Sequence, residues 1–244
     1  MRSSSNRPHR RAVLSGSIQK TCWFFALSAV LAFGSPLRAA APLPAESGKA
    51  EYVIKRNGDP IGTLKIDFLR DGDRLVATSD YSLKIKLMAI VLYRYDKRMV
   101  ETYENGRLIA YEADIDDNGT ISQVRVSHSD DALSIVHPKG TLTAPLGLYP
   151  STYWPPATIN QTQLIDSSDG VLMTVKSVEA ATEALPIDGR TVNAKRYTMT
   201  GDAERTLWYE SETGAWLKME LKGSDGSVIE IERDWPPVWK RDLL

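Results

Sequence analysis

The sequence predicts an all-β protein, with about twelve antiparallel strands in a curved sheet or partly closed barrel. Three observations carry that expectation. Apolar and polar side chains alternate with a period of two through most of residues 50–233, the mark of strands with one buried and one wet face. Asn-Gly and Asp-Gly pairs recur between the alternating runs. Such pairs suit tight hairpins, which need a positive φ that asparagine and glycine accept. No region beyond residue 50 joins a long helical apolar period to capping residues.

The first element is not part of that fold. "MRSSSNRPHRR" is basic, "CWFFALSAVLAFG" is apolar, and "SPLRAAAPLPA" offers small residues to a peptidase. That order predicts a signal peptide and cleavage region over residues 1–41, with the cut between Ala39 and Ala45. The apolar run is too short to cross a bilayer comfortably. Arg10-Arg11-Ala12-Val13-Leu14 resembles a twin-arginine signal, but Lys20 and the gap before the apolar run favour a Sec signal. Cys22 follows Gln19-Lys20-Thr21, which is no lipobox. The expected location is periplasmic or secreted, with a chain that is soluble once the signal is removed. Cys22 is the only cysteine, so the mature protein must be held by its core rather than by disulfides.

Residues 42–49 read as a linker, 50–235 as a single β-rich domain and 236–244 as a C-terminal tail. Within the domain, the turn signals are "RNGD" (56–59), "RDGD" (70–73), "ENGR" (104–107), "DDNGT" (116–120), "SSDG" (167–170), "IDGR" (187–190), "TGDAE" (200–204), "SETGA" (211–215) and "GSDG" (223–226). The runs between them alternate. Leu64, Ile66 and Phe68 oppose Lys65 and Asp67, and Ile109, Tyr111, Ala113 and Ile115 oppose Glu112 and Asp114. Leu217, Met219 and Leu221 oppose Lys218 and Glu220, while Ile229 and Ile231 oppose Glu230 and Glu232. "SLKIKLMAIVLYRY" (82–95) reads as one strand bent near Met88–Ala89.

The long proline-rich connection at 144–170 contains "YWPP", and "DWPP" begins at Asp234. Paired prolines donate no ladder hydrogen bonds and favour polyproline II. Each Trp-Pro-Pro therefore marks an exit from the sheet. Trp154 and Trp235 are expected to cap the open ends of the core, with the 144–170 segment as a lid over an apolar cavity.

Charge narrows the partners. The chain has 30 Lys+Arg and 31 Asp+Glu. Signal removal takes Arg2, Arg7, Arg10, Arg11, Lys20 and Arg38 and no acid, leaving 24 against 31, a net charge of −7. Scattered acids and a negative balance argue against nucleic acid and against an anionic membrane surface.

Chemistry-bearing motifs are weak. Asp114, Asp116, Asn118 and Gly119 match the opening of a calcium loop, but its twelfth position is Arg125, where such a loop needs a bidentate glutamate. A hairpin turn is the expectation, with no metal site and no cofactor. With residues 129–132 as a turn, His128 abuts it and His137 lies at the far end of the next strand, which sets them roughly 20 Å apart at ~3.3 Å per residue. G-x-S-x-G and H-E-x-x-H are absent, so no catalytic residues are assigned. A carboxylate pair for hydrolysis would have to come from different strands, such as Glu101 and Glu112. The aromatics are the remaining signal. Tyr93, Tyr95 and Tyr103 share a parity, and with Tyr153, Trp154 and Trp208 they are the candidate ligand-binding residues, since Tyr and Trp join an apolar body to a polar tip.

The order of Leu92-Tyr93-Arg94-Tyr95, Glu101, Asn105-Gly106-Arg107-Leu108, Asp117-Asn118-Gly119, Pro150-Ser151, Trp154, Leu164-Ile165-Asp166, Gly170, Arg196-Tyr197, Gly201, Leu207-Trp208-Tyr209 and Asp225-Gly226-Ser227 resembles an uncharacterised family of secreted bacterial proteins, a domain of unknown function. The resemblance spans roughly residues 50–233. It implies one β-rich periplasmic domain and no catalytic residues. Tyr103 stands where that pattern has a tryptophan. The function expected is non-catalytic binding of an apolar or lipid-like molecule or of an envelope partner. The alternatives are an envelope hydrolase using strand carboxylates and a protein-interaction module.

Overall fold

A computed structural model describes residues 43–187 and 189–234. The expected signal, its junction with the linker, the Trp235 cap and the tail lie outside the described residues. Strands β1 (Gly48–Arg56), β2 (Asp59–Asp71), β3 (Arg74–Leu87), β4 (Ile90–Glu104), β5 (Arg107–Asp117), β6 (Thr120–His128), β7 (Leu133–His137) and β8 (Gly140–Ala144) follow one another as an antiparallel meander. After a long connection come β9 (Gln163–Ile165), β10 (Leu172–Ile187), β11 (Arg190–Gly201), β12 (Arg205–Glu210), β13 (Trp216–Lys222) and β14 (Val228–Asp234), a second meander. The two are sewn together where β1 pairs antiparallel with β14. One fourteen-stranded sheet results, ordered β8 to β1 and then β14 to β9. Its strands do not close into a barrel among the described residues.

Local sequence explains the hairpins. Asn57-Gly58, Asn105-Gly106 and Asn118-Gly119 all have positive φ, and β1–β2, β4–β5 and β5–β6 turn tightly at these pairs. Fourteen strands exceed the expected twelve, and β9 falls within the segment read as loop. The 82–95 stretch is also not one bent strand. It is the β3–β4 hairpin, reversing at Met88 with φ 54°, a turn that carries no glycine or asparagine to announce it. Leu87, Met88, Ile90, Val91 and Leu92 at its tip are exposed.

The sheet rolls so that its inner face meets itself. Alternate residues from nearly every strand form one core, including Tyr52 and Ile54 of β1, Ile66 and Phe68 of β2, Tyr111 of β5, Val126 of β6, Tyr209 of β12 and Trp216 of β13. The β9 end tucks inside. The turn after β9 lies against β6 and β7, so a Cβ on Gly170 would fall 2.7 Å from His137 Cβ and 3.2 Å from Val124 Cγ1. Gly170 also has φ 72°, so this close approach suits glycine on both counts. A separate small cluster of Ile187, Val192, Ala194, Trp208 and Leu217 occupies the outer face of the β10–β13 region.

Candidate functional site: a half-filled interior

The β3–β4 ladder measures the interior from one end to the other. Leu75 faces Tyr103, Ala77 faces Glu101, Ser79 faces Met99, Tyr81 faces Lys97, Leu83 faces Tyr95 and Ile85 faces Tyr93. Along β4, Tyr103, Glu101, Met99 and Lys97 are buried, whereas Tyr95 and Tyr93 are only half-buried. The interior is therefore dry at the Tyr103 end and opens toward the β3–β4 tip.

The long connection fills the dry end. Thr152 and Pro150 are joined by a backbone hydrogen bond, and Tyr153 takes φ 63°. Trp154 precedes proline and is thereby biased toward extended backbone. Pro155 is extended, and Pro156 opens a 3-10 turn over Pro156–Asn160, where a missing N–H costs little. The exit from the sheet is as expected, and the indole stands at the Tyr103 end of the interior. Trp154 is fully buried and packs edge-on to Phe68 at 4.9 Å and to Tyr103 at 5.6 Å. It fills that end of the interior from within, and Ser151, Thr152 and Tyr153 of its loop form part of the cavity wall.

The plug surrounds one carboxylate. Glu101 accepts hydrogen bonds from Trp154 Nε1 at 2.7 Å, from Thr152 Oγ1 at 3.2 Å and from the Tyr103 hydroxyl. Burial pushes its pKa up to about 7, although those three donors and the charge of Lys97 pull the other way. Two pleat repeats further out, beyond Met99, Lys97 Nζ donates to Ser167 Oγ at 2.9 Å and Ser168 Oγ at 3.1 Å. Burial lowers the Lys97 pKa to about 8, opposed by the charges of Asp166 and Glu101. Its serines are held in place by the turn after β9. Ser167 N donates to Ser151 Oγ, and Tyr111 donates its hydroxyl proton to the Ser167 carbonyl. Ser168 Oγ lies 3.0 Å from the Tyr95 hydroxyl.

Outward of Lys97 is a cavity of about 300 Å³. Leu64, Leu83, Met99, Met219, Leu221 and Ile231 form its apolar walls, with the rings of Tyr81, Tyr93, Tyr95, Tyr153 and Trp216. Its polar end consists of Lys97, Ser151, Thr152, Ser167 and Ser168. A larger depression of about 550 Å³ shares Leu83 with it as a lining residue. That one is bounded by the β1–β2 turn and by Lys84 and Lys86, so it is a charged depression and not an apolar pocket.

Of the six aromatic candidates, Tyr93, Tyr95 and Tyr153 line the cavity. Tyr103 and Trp154 belong to the plug next to it. Trp208 is elsewhere, on the outer face, donating Nε1 to Glu183 at 2.6 Å beneath Lys218. Sequence reasoning missed Lys97, Tyr81, Trp216, Ser167 and Ser168. The signal for Lys97 was present, because 93, 95, 97, 99, 101 and 103 share one parity. A lysine and a glutamate on the core-facing side of a strand are costly unless they have partners.

Other candidates dissolve into structure. Asp116 Oδ1 accepts from Gly119 N at 2.8 Å and Asp114 pairs with Arg125 at 2.6 Å, which is a hairpin turn. Glu112 is exposed beside Arg125, on the face opposite Glu101, so the two carboxylates do not meet. His128 is exposed, and His137 Nδ1 is buried without a hydrogen-bond partner among the described residues.

A family model described as "Domain of unknown function (DUF6134)" matches residues 52–234. Among solved structures, the chain is similar to the crystal structure of a beta-barrel-like protein of domain of unknown function DUF1849 from Brucella abortus. The TM-score is 0.54 at 11% identity, over 79% of this chain and 98% of that one. The likeness is one of fold. No curated protein matches.

Proposed function

The chain belongs to the DUF6134 family, and we propose that it is a non-catalytic binding protein of the periplasm or extracellular space, holding an apolar, lipid-like molecule inside its rolled sheet. The observation that carries this reading is the half-filled interior. Aromatic and aliphatic walls enclose about 300 Å³ beyond a well-packed plug, and a concave, mainly apolar space with a few convergent polar groups is the usual form of a small-molecule site. A core that existed only for stability would be packed throughout.

Native mass spectrometry of protein purified from its own source tests this. A bound mass is expected that disappears on denaturation and is strongly depleted in Leu221→Trp, which fills the cavity from its rim. A clean apo mass at every gentle ionisation setting would sink the reading.

A second reading, contact with an envelope partner, is favoured by the exposed apolar tip at Leu87–Leu92. A photo-crosslinker at position 88 would then give one discrete adduct that Ile90→Ser and Leu92→Ser remove together.

A further inference from the structure

Lys97 is a lone cation in an apolar enclosure. The residue is 8% exposed and forms no ion pair among the described residues. An ammonium has three donor protons, and Ser167 and Ser168 take two of them. The two acids whose charge reaches it are committed elsewhere. Glu101 is held by Trp154, Tyr103 and Thr152, and Asp166 Oδ1 accepts the backbone N–H groups of Ser168 and Asp169. Hydroxyls solvate a cation but do not neutralise it, and a buried charge is normally paired. The unused valence lies at the inner end of a cavity whose remaining walls are apolar.

We infer that the molecule held in this cavity is a single-chain amphiphile with a monoanionic head, a long-chain carboxylate, whose head group pairs with Lys97 while its chain runs outward past Leu83, Tyr93 and Ile231. This rests on the cavity reading above and names its ligand class. One chain, and not two, follows from volume. About 300 Å³ is the lower bound of small-molecule sites, too little for a diacyl lipid. One negative charge follows from the lining, which offers one cation at the polar end; a phosphate would need a second. The Ser168 hydroxyl, accepting from Tyr95, can donate its own proton to the second carboxylate oxygen, so that both oxygens are satisfied.

Isothermal titration of delipidated protein with dodecanoate, dodecan-1-ol and acetate tests the inference. Dodecanoate is expected to bind about tenfold or more tighter than the alcohol, with acetate alone too weak to register. In Lys97→Met the alcohol should bind as before and the preference for the acid should vanish. Lys97→Gln, which keeps a donor but drops the charge, gives the same reading if the methionine variant does not fold. Equal affinities of the wild type for acid and alcohol, or an acid preference that survives both substitutions, would overturn the head-group assignment while leaving an apolar site. If the wild type binds neither chain, the cavity reading falls with it.

Discussion

At the scale of single residues, the interior is governed by two ionisable groups placed where water is scarce. The Glu101 pKa is raised from 4.5 to about 7 by burial. As pH climbs from 4.5, the unfolded chain releases this proton first while the folded chain retains it. The unfolded state gains, and stability declines by on the order of 3 kcal/mol through pH 7. Lys97 behaves oppositely, its pKa lowered from 10.5 to about 8. Between those values the folded chain is the first to lose its proton, so stability rises with pH from 8 to 10.5. The pair therefore predicts a stability minimum between pH 7 and 8. Urea midpoints recorded from pH 4 to 7 should fall for the wild type and stay nearly level for Glu101→Gln. A second test concerns the indole. Trp154→Phe retains ring packing but removes the donor to Glu101 and should cost about 1–3 kcal/mol. Trp154→Ala also opens a void and should cost about 3–5 kcal/mol. Equal losses in the two variants would mean that the hydrogen bond carries the whole effect.

At the scale of elements, the turn after β9 joins architecture to site, since Ser167 and Ser168 lie three and two residues before Gly170. Gly170→Ala must both accept φ 72° and push against His137 of β7. We expect a loss of about 2 kcal/mol or more, with weaker ligand retention because Lys97 loses its hydroxyl partners. An unchanged melting temperature would show that the roll is looser there than the packing implies. The same turn marks how far the sequence could be read. Turn positions, strand parity and the inward ranking of Tyr93 and Tyr95 were legible, because hairpin chemistry and a period of two are local. Which strands meet across the interior was not, because "SSDG" reads only as a turn until the sheet rolls and carries it to β4. Trp208 was misplaced for a related reason. Leu207, Trp208 and Tyr209 are all buried, so with an outer cluster present, apolarity alone did not say which face each residue serves. The β3–β4 reversal went unread because Met88 has none of the usual turn chemistry.

At the scale of the whole molecule, two meanders share a single seam. Glu51 is opposite Asp234 and Arg56 is opposite Ile229, so the two ends of the sheet-forming chain are neighbours at its centre. A circular permutant that joins residue 234 to residue 48 through a short glycine-serine linker, and opens at the β10–β11 turn, should fold with a melting temperature within several degrees of the parent. Loss of cooperative unfolding would show that the order of the two halves matters. The seam also imposes an order on synthesis. Among the described strands β1 is the first made, yet its partner on that side is the last, so the ribosome releases the fourteenth only after the other described strands have waited. During that interval β1 presents a bare row of amides and carbonyls, the kind of edge that recruits other chains. Nascent chains stalled short of Val228 should therefore coaggregate or remain on a holdase, and those stalled well past Asp234 should not.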